Sequence, residues 1–270
     1  MVALIIILLI ILLFLLLALG GRVQEARFKP FRGRAIAHRG LHKNPQIPEN
    51  SLPAFGLAVN HGYGIELDVH LLSDGTLAVF HDNTLFRMTG LEGNIKDLTK
   101  EELKNIKLNL TENHIPTFEE VLTLVDGKVP LIIEIKTEGN TAELCSAVMK
   151  ALKNYQGDYC IESFDPRVLF WLRKNHPEVT RGQLSQNFLK RKENLNIFLR
   201  LILTPLLLNF LTRPDFIAYR FSDRKNLFNT ICIKFWKLQP VYWTIRNNDD
   251  FATAKSEGAI SIFEDFLPEE

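Results

Sequence analysis

An α/β fold, a TIM (β/α)8 barrel with a small insertion and an N-terminal transmembrane helix, is predicted by three features of the sequence. Short β-branched and aliphatic runs alternate with helical patterns, the form of repeated βα units around a parallel sheet. A chain of 270 residues, 46% of them hydrophobic, suffices for one full-sized core. Polar and charged motifs recur at or just past the C-terminal ends of the strand runs, the rim on which such barrels build their sites.

The strand runs are Ala35–His38, Ile65–His70, Leu77–Phe80, Leu131–Ile135, Tyr159–Ser163, Arg181–Leu184, Phe216–Tyr219, Val241–Ile245 and Ile260–Phe263. Nine runs are one too many for eight strands. One of them is expected to be an edge piece or not a strand at all, and the turn Ser73-Asp74-Gly75 marks a direct hop from the second run to the third. Two helix starts carry capping boxes, Thr99 with Glu102 and Thr117 with Glu120. The polar, glycine-punctuated stretch of about 83–115 reads as an insertion over the barrel mouth.

Residues Val2 to Leu19 form an uninterrupted apolar run, long enough to cross a bilayer as a helix. It lacks a basic residue in front and exceeds the apolar length of a cleaved signal, which favours a retained anchor over residues 1–21. A basic linker follows over 22–34, with Arg22, Arg27, Lys29, Arg32 and Arg34 against Glu25 alone. By the positive-inside tendency the globular part, 35–270, lies on the cytoplasmic side of the cell membrane. A second apolar stretch, about 195–211, is interrupted by Asn196, Arg200, Thr204, Pro205 and Asn209. Those interruptions weigh against a second span and leave a core helix or an interfacial helix, the latter served by Lys190, Arg191 and Lys192 beside it.

The net charge of +1 supplies no basic stripe to track a polyanion, which argues against a nucleic-acid partner. Cys145, Cys160 and Cys232 are dispersed, odd in number and without CxxC spacing, so they read as buried small hydrophobes.

Four motifs carry the chemistry. His38-Arg39-Gly40, followed by Pro48-Glu49-Asn50-Ser51, offers an imidazole, a planar donor fork suited to phosphate oxygens and a flexible backbone. In Glu66-Leu67-Asp68 the period of two puts both carboxylates on one face of a strand, where a cation offsets their repulsion more readily than chance salt bridges do. His81-Asp82 closes the third run, and Glu134 and Lys136 share one face of the fourth. Glu66, Asp68 and Glu134 make an all-oxygen set, which favours one divalent cation, Mg²⁺ or Ca²⁺, over zinc or copper.

This ordered series of HRG, PEN[ST], ExDV, HD and ExK, with a closing WT and an acidic residue after the last strand, resembles the glycerophosphodiester phosphodiesterase family from about Ala35 to Pro268. The resemblance implies His38 and His81 as an acid/base pair, Arg39 and Lys136 as phosphate contacts, Glu66, Asp68 and Glu134 as metal ligands, and Trp243 as an aromatic on the substrate wall. Glu49 lies in a matching motif without an assigned role. Phe263-Glu264-Asp265 departs from the Ile-Thr-Asp often found there. The implied reaction is metal-dependent hydrolysis of a glycerophosphodiester to glycerol 3-phosphate and an alcohol, by attack of the neighbouring glycerol hydroxyl or of water. A lysophospholipase D taking lysophospholipid from the bilayer is the alternative, and a non-catalytic membrane-tethered binding module is a third reading that the full residue set opposes.

Overall fold

The computed structural model describes residues 2–20, 25–190 and 195–269; Arg22, Arg191 and Lys192 lie outside them. Its strands are β1 (Ala35–Ala37), β2 (Gly64–Leu71), β3 (Leu77–Val79), β4 (Leu131–Ile135), β5 (Tyr159–Ser163), β6 (Arg181–Ser185), β7 (Phe216–Arg220), β8 (Gln239–Ile245) and β9 (Ile260–Phe263). All nine sequence runs are strands. Eight of them pair in parallel, and the β9–β1 and β1–β2 pairings close the barrel. The supernumerary piece is β3, which folds back antiparallel on the end of β2 with Leu77 opposite Leu71 and Val79 opposite Val69.

The helices in chain order are α1 (Val2–Leu17), α2 (Glu25–Phe28), α3 (Leu52–Asn60), α4 (Phe86–Thr89), α5 (Lys100–Leu103), α6 (Phe118–Val125), α7 (Thr141–Leu152), α8 (Pro166–Asn175), α9 (Ile197–Leu203), α10 (Asn209–Thr212), α11 (Leu227–Lys234) and α12 (Asn248–Ser256). Both capping boxes form: Glu102 accepts from the Thr99 backbone N–H at 2.7 Å and Glu120 from that of Thr117 at 2.8 Å. Such reciprocal caps satisfy donors that the first turn leaves free, typically for about 1 kcal/mol each. From Thr117, α6 buries Phe118, Val121, Leu122 and Val125 against the sheet, a spacing of three and four that leaves its polar face in water.

Alternation along each strand separates two cores. Ile65, Leu67 and Val69 of β2 face outward into the layer between sheet and helices, while Ile36, Ile132, Cys160, Phe216, Val241 and Ile260 fill the lower barrel. Gly182 is required there, because a Cβ would stand 2.0 Å from the Phe216 ring. The segment read as a linker is part of this core: Phe28, at the end of α2, and Phe31 beyond it are buried beneath the barrel, Phe28 edge-on to Phe216 at 6.1 Å. Its basic residues disguised a hydrophobic plug. The insertion of about 83–115 has a satellite core of its own, in which Leu85, Met88, Ile95, Leu103, Ile106 and Leu108 pack on Phe80.

The anchor departs from expectation in length. Helix α1 has 16 residues, about 24 Å of rise against a hydrocarbon thickness of about 30 Å. No helix among the described residues is long and apolar enough to cross a membrane. The apolar run continues to Leu19, but the helix ends at Leu17, and Ala18 and Gly20 are buried against the barrel's outer layer. The stretch of about 195–211 is not one helix and is core only in part, with Thr204, Leu206 and Asn209 buried and Leu206 in the outer core. It breaks at Thr204–Leu208 into α9 and α10, and α9 buries no residue at all.

Candidate active site

Register builds the centre of the site. Asp68 lies opposite Glu134, and Glu134 opposite Glu162, so three inward carboxylates share one level of the barrel with Glu66 one inward step below Asp68. Oxygens of Glu66, Asp68 and Glu134 lie within 4.8 Å of one another, and all three residues are buried. Lys136 enters the cluster with its Nζ at 3.0 Å from Asp68 and 2.8 Å from Glu134, and Asn50 donates to Asp68 at 2.8 Å.

The electrostatics follow from this crowding. Burial first, and then Asp68 and Glu134, raise the affinity of Glu66 for a proton. Glu134 is raised as well, chiefly by burial, with Lys136 opposing. Asp68 goes the other way, because Lys136, His81 and Arg39 overcome its desolvation. Lys136 stays firmly protonated although buried, owing to Asp68 and Glu134. Glu162 is pushed up by burial and by its carboxylate neighbours, and among the described residues its buried Oε2 has no hydrogen-bond partner. Lys136 and Arg39 thus set two positive charges against four buried carboxylates, one with an orphaned oxygen. An all-oxygen donor set with that excess of negative charge fits a hard divalent cation held by Glu66, Asp68 and Glu134.

His38 stands just beyond β1, where its backbone N–H extends the ladder to Phe263 O at 2.9 Å. The Glu264 carboxylate accepts a short hydrogen bond from Nδ1, and Arg246 holds Glu264 from behind. This fixes the tautomer that leaves Nε2 open to the site, 3.8 Å from Glu66. Burial dominates and lowers the pKa of His38 although Glu264 pulls the other way. Arg39 adopts a left-handed backbone, φ 56°, which aims its N–H at Glu66 (3.0 Å) while its guanidinium reaches Glu49 (2.6 Å) and Asp68 (3.6 Å). Gly40 completes the turn at φ 80°, where a Cβ would sit 2.9 Å from the Ala54 backbone.

Glu49 neither touches the carboxylate cluster nor caps a helix; Ser51 is the cap of α3. Its carboxylate binds Arg39 and, from the insertion, Arg87, which with their charges hold its pKa at about 2 against the cost of burial. Arg87 also donates to Asp82, and Asp82 accepts from His81 Nδ1 at 2.7 Å. One arginine therefore links the loop that orients Arg39 to the carboxylate that orients His81.

A cavity of about 350 Å³ at the C-terminal rim is lined by His38, Arg39, Glu66, His81, Glu134, Lys136 and Trp243, with Asp68 buried at its base. The eight residues expected from the sequence therefore converge. Trp243 forms one wall, its Nε1 donating to Ala218 O at 3.1 Å and its ring edge-on to Phe164 at 5.7 Å, with the Arg220 guanidinium 5.5 Å above the ring. Sequence reasoning missed Glu162, Glu264, Arg87 and Arg220. Glu162 had a readable signal, a carboxylate at the penultimate position of a strand, as in Glu134. Glu264 was noticed as a departure from pattern, and no sequence feature linked it to His38.

The site has counterparts among known proteins. A glycerophosphodiester phosphodiesterase of Caldanaerobacter subterraneus subsp. tengcongensis is 38% identical over 164 residues, 56% of this chain and 66% of that protein. Glycerophosphodiester phosphodiesterase 1 of Mus musculus is 34% identical over 164 residues, 54% of this chain and 46% of that protein. The chain spans about half to two thirds of the length of these curated relatives. Among solved structures, a phosphodiesterase from Oleispira antarctica in complex with the product sn-glycerol-3-phosphate superposes with a TM-score of 0.71 at 24% identity, covering 87% of this chain and 94% of that one. A glycerophosphodiester phosphodiesterase from Thermotoga maritima gives 0.66 at 25%, covering 86% and 94%. These likenesses establish the closed barrel. The profile of the glycerophosphoryl diester phosphodiesterase family matches residues 38–269, from the first histidine through the last strand, and the chain belongs to that family.

Proposed function

We propose that this protein hydrolyses glycerophosphodiesters to glycerol 3-phosphate and an alcohol. The observation that carries the reading is the convergence, in one rim cavity, of two oriented histidines, two half-buried cations and a carboxylate cluster. A phosphodiester resists attack because its oxygens are anionic. Arg39 and Lys136 offset that charge from fixed positions, at no cost of reorganisation during the reaction. Imidazole suits proton transfer near neutral pH. Burial disfavours a resting proton on His38, so its open Nε2 is free to accept the proton of the attacking hydroxyl or water, and His81, steadied by Asp82, fits the return of a proton to the departing alkoxide. Mg²⁺ or Ca²⁺ held by Glu66, Asp68 and Glu134 would supply Lewis-acid stabilisation of the phosphoryl oxygens.

The test is release of glycerol 3-phosphate from glycerophosphocholine by the purified protein, with Mg²⁺, Ca²⁺ or EDTA present. Turnover abolished by EDTA supports the reading, and no turnover with either ion overturns it.

A second reading, lysophospholipase D, is favoured by a groove of about 780 Å³ that begins at Glu134 and Lys136 and continues between Phe188, Leu195, Leu199, Leu203 and Leu208. Its length of apolar wall suits an acyl chain whose phosphate lies at Lys136. Choline release from lysophosphatidylcholine, lost on Leu199→Asp while glycerophosphocholine turnover persists, would establish it. For location, we propose attachment to the cytoplasmic face of the cell membrane. The support is α1, whose residues Leu4–Leu13 are exposed and apolar, followed by Arg27, Lys29, Arg32 and Arg34.

A further inference from the structure

The direction of α1 decides how an attached enzyme would face its membrane. Phe14 packs on Phe228 at the start of α11, with ring centroids 5.2 Å apart. The Cys232 thiol, in the middle of α11, points at Ala18 O at 3.9 Å, and Gly20 abuts Leu238 just before β8. Helix α11 descends from the C-terminal end of β7 to the N-terminal end of β8, so α1 runs from rim to floor alongside it. Its first dozen residues therefore rise past the rim that holds the active site, by about 18 Å at helical pitch. Among the described residues nothing covers Leu4 to Leu13, every one of which is exposed.

A second apolar feature lies at the same end. Helix α9, in the connection leaving β6, turns Leu199 and Leu203 toward the groove and presents Phe198 (69% exposed) and Leu201 (53%) outward. Leu189, in the same connection, and Leu227 (66%), which opens α11 after β7, are also exposed. An exposed lysine follows Leu189 directly, Lys190, and another precedes Leu227 by two residues, Lys225. Phe235 (59% exposed), at the floor end of α11, is an exposed aromatic outside this face. Apolar side chains interleaved with lysines, on the side from which an apolar helix projects, match a bilayer with anionic headgroups better than a protein partner, whose surface would have to receive α1 lengthwise.

We propose that the catalytic rim is a lipid-docking face: α1 enters the bilayer, the outer side of α9 and the start of α11 rest in its interface, and the active-site cavity opens toward the membrane surface. This rests on the membrane attachment proposed above and adds its orientation. Substrate then reaches the site along the lipid surface, and the groove under α9 is the route open to an acyl chain.

The three native cysteines are buried, so environment-sensitive labels can be placed on the full chain at Leu201→Cys and Leu227→Cys on the rim and at Lys128→Cys on the floor. The proteins are floated with phosphatidylcholine–phosphatidylglycerol vesicles carrying a spin-labelled quencher in the acyl chain, and glycerophosphocholine turnover is measured in parallel. Quenching is expected at 201 and 227 and not at 128. The double variant Phe198→Asp/Leu201→Asp is expected to weaken vesicle partition by tenfold or more, since burial of each such side chain is worth about a tenfold change, with turnover of the soluble diester at the wild-type rate. Vesicle-bound protein with unquenched rim labels, or with equal quenching at 128, overturns the docking face while leaving the attachment. Failure to float overturns both, and loss of soluble turnover in the unlabelled wild type condemns the catalytic assignment alone.

Discussion

The upper and lower halves of the barrel interior are built by the same strands and differ in everything else. Ile132 and Glu134 of β4, and Cys160 and Glu162 of β5, are inward neighbours one strand period apart, about 7 Å. Below, aliphatic and aromatic side chains close on the Phe28–Phe31 plug; above, four carboxylates face two cations. The lower layer gains stability from packing and fixes strand register. The upper layer spends part of that gain, because crowded buried carboxylates repel one another until a counter-charge arrives. What the pair teaches is that the site's geometry is imposed by the floor and its chemistry by the rim.

The contrast can be broken at either layer. The largest effect is expected at the rim: His38→Ala or His81→Ala should cut turnover of glycerophosphocholine by about 10²–10⁴-fold, with an unchanged circular dichroism spectrum. A variant at the wild-type rate would remove that histidine from proton transfer. At the floor, Phe216→Ala should lower unfolding stability by about 3–5 kcal/mol in urea titrations, because Phe216 seals both the space left by Gly182 and the plug. If activity falls before stability does, the two layers are not separable as described.

A smaller effect is expected from pH. His70, on the inward side of β2, is held down to about 4 by burial and by the Lys136 ammonium, against 6.5 ordinarily. The unfolded chain takes up this proton first, so the contribution is complete above about pH 6.5 and drains away as pH falls toward 4. It amounts to about 3 kcal/mol over the whole window. His70→Leu should flatten the difference in unfolding free energy between pH 7 and pH 5; an unaltered slope would assign that acid sensitivity to other groups. The smallest change concerns the orphaned oxygen. In EDTA, Glu162→Gln should raise stability by about 1 kcal/mol by removing one repelling charge, and a fall in Tm would mean that this carboxylate is satisfied in the folded protein.

Much of this was legible in the sequence, because strand existence depends on local patterns of β-branched residues and each motif sits at a strand end. The direct hop from the second run to the third was legible from the Ser73-Asp74-Gly75 turn, and the antiparallel pairing of β3 on β2 is what identifies the odd strand. Register was not, since it emerges from closure of β9 on β1, and without it Glu162 could not be placed level with Glu134. The Glu264–His38 contact joins the two ends of the barrel chain and shares no spacing that sequence could reveal. Arg27, Lys29, Arg32 and Arg34 made 22–34 look solvated, although Phe28 and Phe31 among them are core. The apolar run to Leu19 read as a spanning helix because hydropathy does not register where a helix stops and packing begins.

The Phe28–Phe31 plug also sets an order of assembly. Phe28 leaves the ribosome well before its partner Phe216, which follows some 10–40 s later at about 5–20 residues per second. Until then two phenylalanines and the apolar α1 have no protein surface of their own to bury against. Over that interval the nascent chain carries its stickiest segment uncovered, and whatever shelters that segment in the meantime, chaperone or lipid, takes part in making the protein before the barrel exists.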